Sequence, residues 1–232
     1  FPEIKSDFIN NMTHEFKTPI STIKLALDAI DNKKIKDDQL KRDKYLKMIK
    51  DENERMNFQV ENVLRISQLE RSDNILKKQI CDIHVLINKA LSHLDLLIKK
   101  RNVKIDINFN ALQSNVFVSS ESFTNVFVNI LENAIKYSRD NPEIKIHSLN
   151  KNNKLEISIS DNGIGMSPAV KEKIFFKFYR EKMGNIHNVK GHGLGLAYVK
   201  KIIDLHNSKI SVESDLGIGS TFKLHLKLYD YE

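Results

Sequence analysis

The 232-residue chain carries a single cysteine, Cys81, and that scarcity excludes an internal disulfide and any cysteine-rich metal site. Cys81 reads as a small buried apolar residue in a protein of a reducing compartment. No run approaches the roughly 20 apolar residues that a membrane helix requires, and nothing has the basic, apolar, small-residue order of a signal peptide. The chain as given is therefore expected to be soluble. It begins at Phe1 and runs at once into helical sequence, so it reads as a piece of a longer protein, with any membrane segment upstream. Internal repeats and low-complexity tracts are also absent.

Lysine and arginine total 37 against 30 acidic residues, a formal +7, which suits nucleic acid, nucleotide phosphates or an acidic protein partner. The basic pairs Lys33-Lys34, Lys77-Lys78, Lys99-Lys100 and Lys200-Lys201 are scattered, without the interleaved aromatics of a single-strand binding platform. They read as solvated surface, and no nucleic-acid partner is expected. A hydrophobic content of 41% with 29% charged residues is the balance of a soluble protein, and the length favours two domains.

The organisation changes near residue 70. Between Phe8 and Ile30 there is no glycine and one proline, and Ile9, Met12, Phe16, Ile20, Ile23, Leu27 and Ile30 form one helical stripe. A polar stretch from Asp31 to Asp38 reads as a turn. Leu46, Ile49, Met56, Val60 and Val63 then continue the spacing in a second long helix, with Asn53 either setting register or merely tolerated. One such hairpin leaves each stripe half covered, and dimerisation into a four-helix bundle would cover it. The polar segment Glu70-Arg71-Ser72-Asp73-Asn74 reads as a hinge. Beyond it, strands are expected at 103–109, 115–118, 144–149, 155–160, 209–214 and 221–227, and helices at 85–100, 122–137 and 194–206. That pattern is an α+β sandwich with helices on one face of a sheet.

Chemistry concentrates in four places. In Thr13-His14-Glu15-Phe16-Lys17-Thr18-Pro19, His14 lies off the apolar stripe among polar neighbours and should face solvent. Glu15 can take up or orient one ring proton and leave the other nitrogen as nucleophile. Thr18 follows four residues later on the same face, and Pro19 cannot donate to the Glu15 carbonyl, so the helix should bend there. In the helix from Asn129 to Tyr137, the amides of Asn129 and Asn133 and the ammonium of Lys136 fall on neighbouring faces, with Tyr137 beside them. An amide oxygen is a hard ligand suited to Mg²⁺ and an ammonium suits a phosphate. An ordinary amphipathic helix would show the same outer residues.

Two glycine-rich segments complete the set. Asp161-Asn162-Gly163-Ile164-Gly165-Met166 follows a strand, and Gly191-His192-Gly193-Leu194-Gly195-Leu196 opens a helix, where backbone amides can approach phosphate. Neither fits the lysine-bearing Walker pattern or a dinucleotide fold. Phe175-Phe176-Lys177-Phe178-Tyr179-Arg180 and the polar loop to Lys190 lie between them, as a lid over nucleotide or as core.

In this order the motifs resemble those of the sensor histidine kinases of two-component systems, over almost the whole chain. His14 to Pro19 looks like the phosphoacceptor motif, Asn129 to Tyr137 the asparagine box and Asp161 to Gly165 the first glycine box. Phe175 to Phe178 resembles the phenylalanine box, Gly191 to Leu196 the second glycine box and Gly217 to Phe222 the last. The resemblance implies a fold of class α+β: an N-terminal two-helix hairpin forming a dimeric four-helix bundle over residues 1–70, then a Bergerat-type ATP-binding α/β sandwich over 71–232. It implies His14 as phosphorylated nucleophile, Glu15 as its base and Thr18 as the residue that positions water for dephosphorylating the partner regulator. Asn133 would hold Mg²⁺, Asn129 and Lys136 would reach the phosphates of ATP, and Tyr137 would border the nucleotide. Asp161 would accept from the adenine amino group, with Gly163 and Gly165 shaping its pocket, and Gly191, His192, Gly193, Leu194 and Gly195 would serve the lid and phosphates. His192 and Met166 depart from the residues usual at those positions, without removing a ligand. The implied partners are a second copy and a response-regulator receiver domain, in the cytoplasmic part of an inner-membrane sensor.

Other classes explain less. A chaperone, topoisomerase or mismatch-repair ATPase of the same nucleotide fold leaves Thr13 to Pro19 without a role. A dimeric scaffold with a degenerate site leaves the ligand types unexplained, and a nucleic-acid binder has only the charge in its favour.

Overall fold

The computed structural model describes residues 2–32, 35, 38–71, 76–177, 179 and 193–230, and the chain divides after Arg71 into two compact units. The first is a pair of helices packed on each other, α1 (Pro2–Ile30) and α2 (Gln39–Arg71). Helix α2 starts where Asp38 caps it: its Oδ1 accepts from Lys41 N at 3.1 Å and its carbonyl from Arg42 N at 3.0 Å. The Lys41 ammonium, 2.8 Å from the same carboxylate, holds the Asp38 carboxyl below its usual value.

Pro19 and Ala26 are buried within this pair, while Ile20, Leu27, Leu46 and Val60 of the apolar stripes remain roughly half exposed. Asn53 is exposed. Helix α1 is continuous through Pro19, and Glu70 and Arg71, read as hinge, belong to α2. No glycine or proline stands near them to stop a helix. Ser72, Asp73 and Asn74 lie outside the described residues.

In the second unit a short ribbon pairs β1 (Gln79–Asp82) antiparallel with β3 (Asn115–Val118). A five-stranded sheet runs in the order β2 (Lys104–Phe109), β4 (Glu143–Lys151), β5 (Lys154–Asp161), β7 (Gly219–Lys227), β6 (Lys209–Asp215), with only β2 and β4 parallel. Alternation along these strands sends Ile144, Ile146, Leu155, Ile157, Ile159, Phe222, Leu224 and Leu226 to one buried face. Register aligns Ile146, Ile159, Phe222 and Val212 in a row across four strands.

Helices α3 (Ile83–His93), α5 (Ser120–Lys136) and α7 (Gly195–Leu205) accompany the sheet, with α5 packed on α3, α7 and β5. Phe123, Val126, Phe127, Ile130, Leu131, Ala134 and Ile135 recur at steps of three and one, so a full stripe of α5 is buried. The expected single helix over 85–100 is broken at Leu94, whose amide bonds to both the Ala90 and Leu91 carbonyls before α4 (Asp95–Arg101) begins. A one-turn helix, α6 (Pro168–Lys171), is capped by Ser167. Four turns place asparagine in the left-handed region, at Asn102, Asn141, the adjacent pair Asn152 and Asn153, and Asn207.

Candidate functional site

On α1, His14 lies in continuous helix, as does Glu15, with their side chains outside the described set. Thr18 is exposed one turn further on, and its carbonyl accepts from Thr22 Oγ1 at 3.1 Å.

In the second unit, α5 is amphipathic, so the residues off its buried stripe fall on one side. Asn129, Asn133 and Lys136 occur at steps of four and three there and are all half-buried. Asn129 donates its Nδ2 to the Asn125 carbonyl at 2.8 Å. Its Oδ1 lies against the Cα of Gly195: a Cβ at Gly195 would stand 2.5 Å from that oxygen. A side chain at Gly195 would therefore push the Asn129 carboxamide aside. Leu194, before it, caps α7 without any side-chain hydrogen bond, so the first amides of α7 are served by no capping side chain. Asn133 has a carboxamide without a hydrogen bond among the described residues. The Lys136 ammonium sits 5.6 Å from the ring centre of Tyr137.

The first glycine-rich segment leaves the end of β5 and threads between the C-terminus of α5 and the β6–β7 hairpin. Ile164 N donates to the Tyr137 carbonyl at 3.1 Å, and Gly217 N donates to the Ile164 carbonyl at 2.7 Å. Gly163 passes so near α5 that a Cβ would stand 2.6 Å from the Tyr137 oxygen. Gly165 has φ +69°, and a Cβ there would collide with the Asp215 carbonyl. These close approaches set the position of Asp161.

Asp161 Oδ1 accepts from Gly163 N at 2.8 Å and from Ser220 N at 3.3 Å. Burial pushes its carboxyl above the usual value, and these two amides only partly oppose that. The other oxygen, Oδ2, has no hydrogen bond among the described residues, so the arrangement is a half-buried acceptor fixed at one end and available at the other. That is the chemistry needed to receive an exocyclic amino group.

Sequence reasoning missed the residues beneath this carboxylate. Buried Ser214 accepts from Met166 N at 2.8 Å, donates to the Gly219 carbonyl at 2.8 Å and lies 3.0 Å from Ser220 Oγ. Asn162 accepts from Glu143 N at 2.9 Å and donates to the Asn141 carbonyl at 3.1 Å, tying the segment to β4. The available signal was a pair of serines flanking Gly217 and Gly219, opposite one another in the hairpin register. Gly193 is in the left-handed region and Leu194 is buried at the start of α7. Gly191, His192, Phe178 and the loop from Arg180 to Lys190 lie outside the described residues. Phe175 is half-buried and Phe176 exposed.

Comparison with known proteins matches both units. Residues 4–72 match the His Kinase A (phospho-acceptor) domain. Residues 119–230 match the histidine kinase-, DNA gyrase B- and HSP90-like ATPase domain. The chain is 42% identical over 228 residues to Sensor protein RprX of Bacteroides fragilis, covering 97% of this chain and 44% of that protein. It is 30% identical over 225 residues to Sensor protein kinase WalK of Staphylococcus aureus, covering 96% of this chain and 53% of that protein. The chain thus spans about half the length of the curated relatives it matches. Among solved structures, histidine kinase ThkA in complex with response regulator protein TrrA has the same fold, with a TM-score of 0.73 at 24% identity over 97% of this chain and 62% of that one. With a phospho-acceptor helix pair followed by an ATPase sheet, the chain belongs to the sensor histidine kinases.

Proposed function

We propose that this chain transfers the γ-phosphoryl group of ATP to its own His14 and then to an aspartate of a response-regulator receiver domain. The observation that carries the reading is the pairing, in one chain, of a phospho-acceptor domain with an ATPase domain that presents Asp161, Asn129, Asn133 and the uncapped start of α7.

In the transfer, the unprotonated nitrogen of neutral His14 attacks the γ-phosphorus. The P–O bond to ADP breaks with its electron pair staying on ADP, and Glu15 takes up the proton of the other ring nitrogen. Asp161 Oδ2 accepts from the adenine amino group, Tyr137 borders the ring, and Gly163 and Gly165 leave room for it. Asn129, Lys136 and the amides around Gly193, Leu194 and Gly195 face the phosphates, Lys136 adding positive charge. Gly191 and His192 complete that segment.

Asn133 suits Mg²⁺: its carboxamide is half-buried and without a hydrogen bond among the described residues. No cluster of three or more His, Cys, Asp or Glu side chains able to hold a metal occurs among them. That fits an ion held mainly by phosphate and water, as Mg²⁺ prefers. When bound, Mg²⁺ neutralises charge on the phosphate oxygens.

Residues 1–70 would dimerise and carry the phosphohistidine, and 71–232 would bind nucleotide. The half-exposed Ile20, Leu27, Leu46 and Val60 support a homodimeric four-helix bundle. The response regulator as partner is supported by the ThkA complex with TrrA. Regulator phosphatase activity is the second reading, favoured by exposed Thr18 one turn past His14. No helix among the described residues is long and apolar enough to cross a membrane. The greater length of the relatives supports this chain being the cytoplasmic part of an inner-membrane sensor.

The test is incubation with γ-labelled ATP and Mg²⁺, wild type beside His14→Gln. Acid-labile, alkali-stable label on the wild type alone is expected, with ATP binding retained in both. Equal labelling of the two proteins would move the acceptor away from His14.

A further inference from the structure

His206 closes α7 and is buried, and no role in phosphate or adenine binding uses it. Its Nδ1–H donates to the Ile202 carbonyl at 2.8 Å, and its Nε2 accepts from the buried amide of Ser119 at 3.1 Å. The Ser119 amide can only donate, so the ring is neutral with its proton on Nδ1. Ser119 is the N-cap of α5, the helix that carries Asn129, Asn133 and Lys136. The Phe123 ring, one turn into α5, packs nearly perpendicular to the imidazole with centroids 4.9 Å apart.

This bond has a counterpart at the other end of the same helix pair. Gly195, the first residue of α7, lies against Asn129 Oδ1, while His206, just past its last, holds Ser119. At 1.5 Å per residue the two attachment points are about 15 Å apart along α5 and about 16 Å apart along α7. The helices therefore run antiparallel and are pinned twice at matched spacing. One pin is a van der Waals stop that forbids closer approach, and the other is a hydrogen bond that forbids sliding.

We propose that His206 is a positioning residue for nucleotide binding: by holding Ser119 it fixes the register of α7 along α5, and with it the phosphate-facing start of α7 relative to Asn129. This role rests on the nucleotide-binding reading given above. Protonation of the ring removes the acceptor for Ser119 N–H and places a cation in an apolar setting. Of the charged side chains on the surrounding elements, Glu121 of α5, Lys200, Lys201 and Asp204 of α7, Lys209 of β6 and Lys78 before β1, it is Lys78 that acts on the ring. Its ammonium donates to the Leu205 carbonyl at 3.0 Å and adds to the effect of burial, which keeps the imidazole neutral. Asp204 is paired with Lys200 at 2.6 Å on the exposed side of α7.

The experiment measures Mg-ADP affinity by titration calorimetry on the full chain between pH 5.5 and 8, for wild type, His206→Leu and His206→Gln. His206→Leu should bind roughly five- to ten-fold more weakly at pH 7.5, the scale at which substitutions in a packed network act at a distance. His206→Gln, whose carboxamide can donate to Ile202 and accept from Ser119, should bind like wild type there. As pH falls from the ordinary imidazole value of 6.5 toward the lowered value of the folded protein, the wild type should weaken more steeply than His206→Gln, which has no ring to protonate. A histidine that only stabilised the fold would leave the ratio of those two affinities flat with pH. Parallel pH profiles across the pH at which the His206 ring is seen by NMR to protonate overturn the proposal whatever His206→Leu does, including if it fails to fold. Wild type that binds no Mg-ADP at any pH overturns the nucleotide reading and this role with it.

Discussion

Asp161→Asn preserves the outline of the side chain and the Oδ1 that accepts from Gly163 N and Ser220 N, so the segment after β5 keeps its anchor. The change falls on the other oxygen, which becomes an amide donor. An adenine amino group offered to it then meets a donor where an acceptor stood. Loss of a charge-assisted hydrogen bond costs about 1.5–3 kcal/mol, and an unsatisfied buried donor adds about 1 kcal/mol or more. Nucleotide affinity should therefore fall roughly 10²- to 10³-fold. Stability should move the opposite way. Burial raises the folded-state pKa of Asp161, so the folded protein holds that proton to higher pH than the unfolded chain does. The resulting stability is present at low pH and is lost as pH rises through the folded pKa. The amide escapes that loss, so at pH 7 the variant should be at least as stable as wild type. In the proposed role the ionised carboxylate receives the adenine amino group, so wild-type affinity should decline as pH is lowered toward the raised pKa. Titration calorimetry with ADP and urea unfolding measure the two quantities. Affinity within three-fold of wild type, or a stability loss above about 2 kcal/mol, would refute the reasoning.

Gly165→Ala places a Cβ into the Asp215 carbonyl at a φ of +69°. Strain of about 1–2 kcal/mol and overpacking of about 1–3 kcal/mol should both appear in urea unfolding; a midpoint equal to wild type would contradict the loop path. Burial holds the imidazoles of His84 and His206 below their ordinary value of 6.5, against an opposing effect of Asp82 at His84 and of the Ile202 bond at His206. The unfolded chain then binds more protons, so stability is intact above 6.5 and is lost as pH falls through the folded pKa values. The urea midpoint should drop between pH 7 and 5, and a flat midpoint would count against it.

Much of the second unit was legible because its periodicities are clean. The strand at Asn115–Val118 and the buried stripe of α5 follow directly from alternation and from steps of three and four. The β1 strand was missed because Gln79-Ile80-Cys81-Asp82 has no alternation and is strand only through its pairing with β3. The break at Leu94 was missed because neither glycine nor proline marks it; burial of Leu94 decides it, and that is tertiary. Among site residues, the glycines were legible as glycines, but not their neighbours: the Tyr137 carbonyl against Gly163, and Asn129 against Gly195, are contacts between distant parts of the chain. His206 did leave a signal, since it follows Val199, Ile202 and Ile203 on the buried side of α7.

All eight glycines fall between Gly163 and Gly219, while asparagine makes the left-handed turns at 102, 141, 152, 153 and 207. Asparagine tolerates that conformation yet keeps a side chain, so its unfolded states are fewer than those of glycine. Glycine's backbone latitude is thus concentrated in the stretch proposed above to meet nucleotide with its main chain. The entropic cost of folding is concentrated there too, while the ordinary turns, built on asparagine, have less to lose.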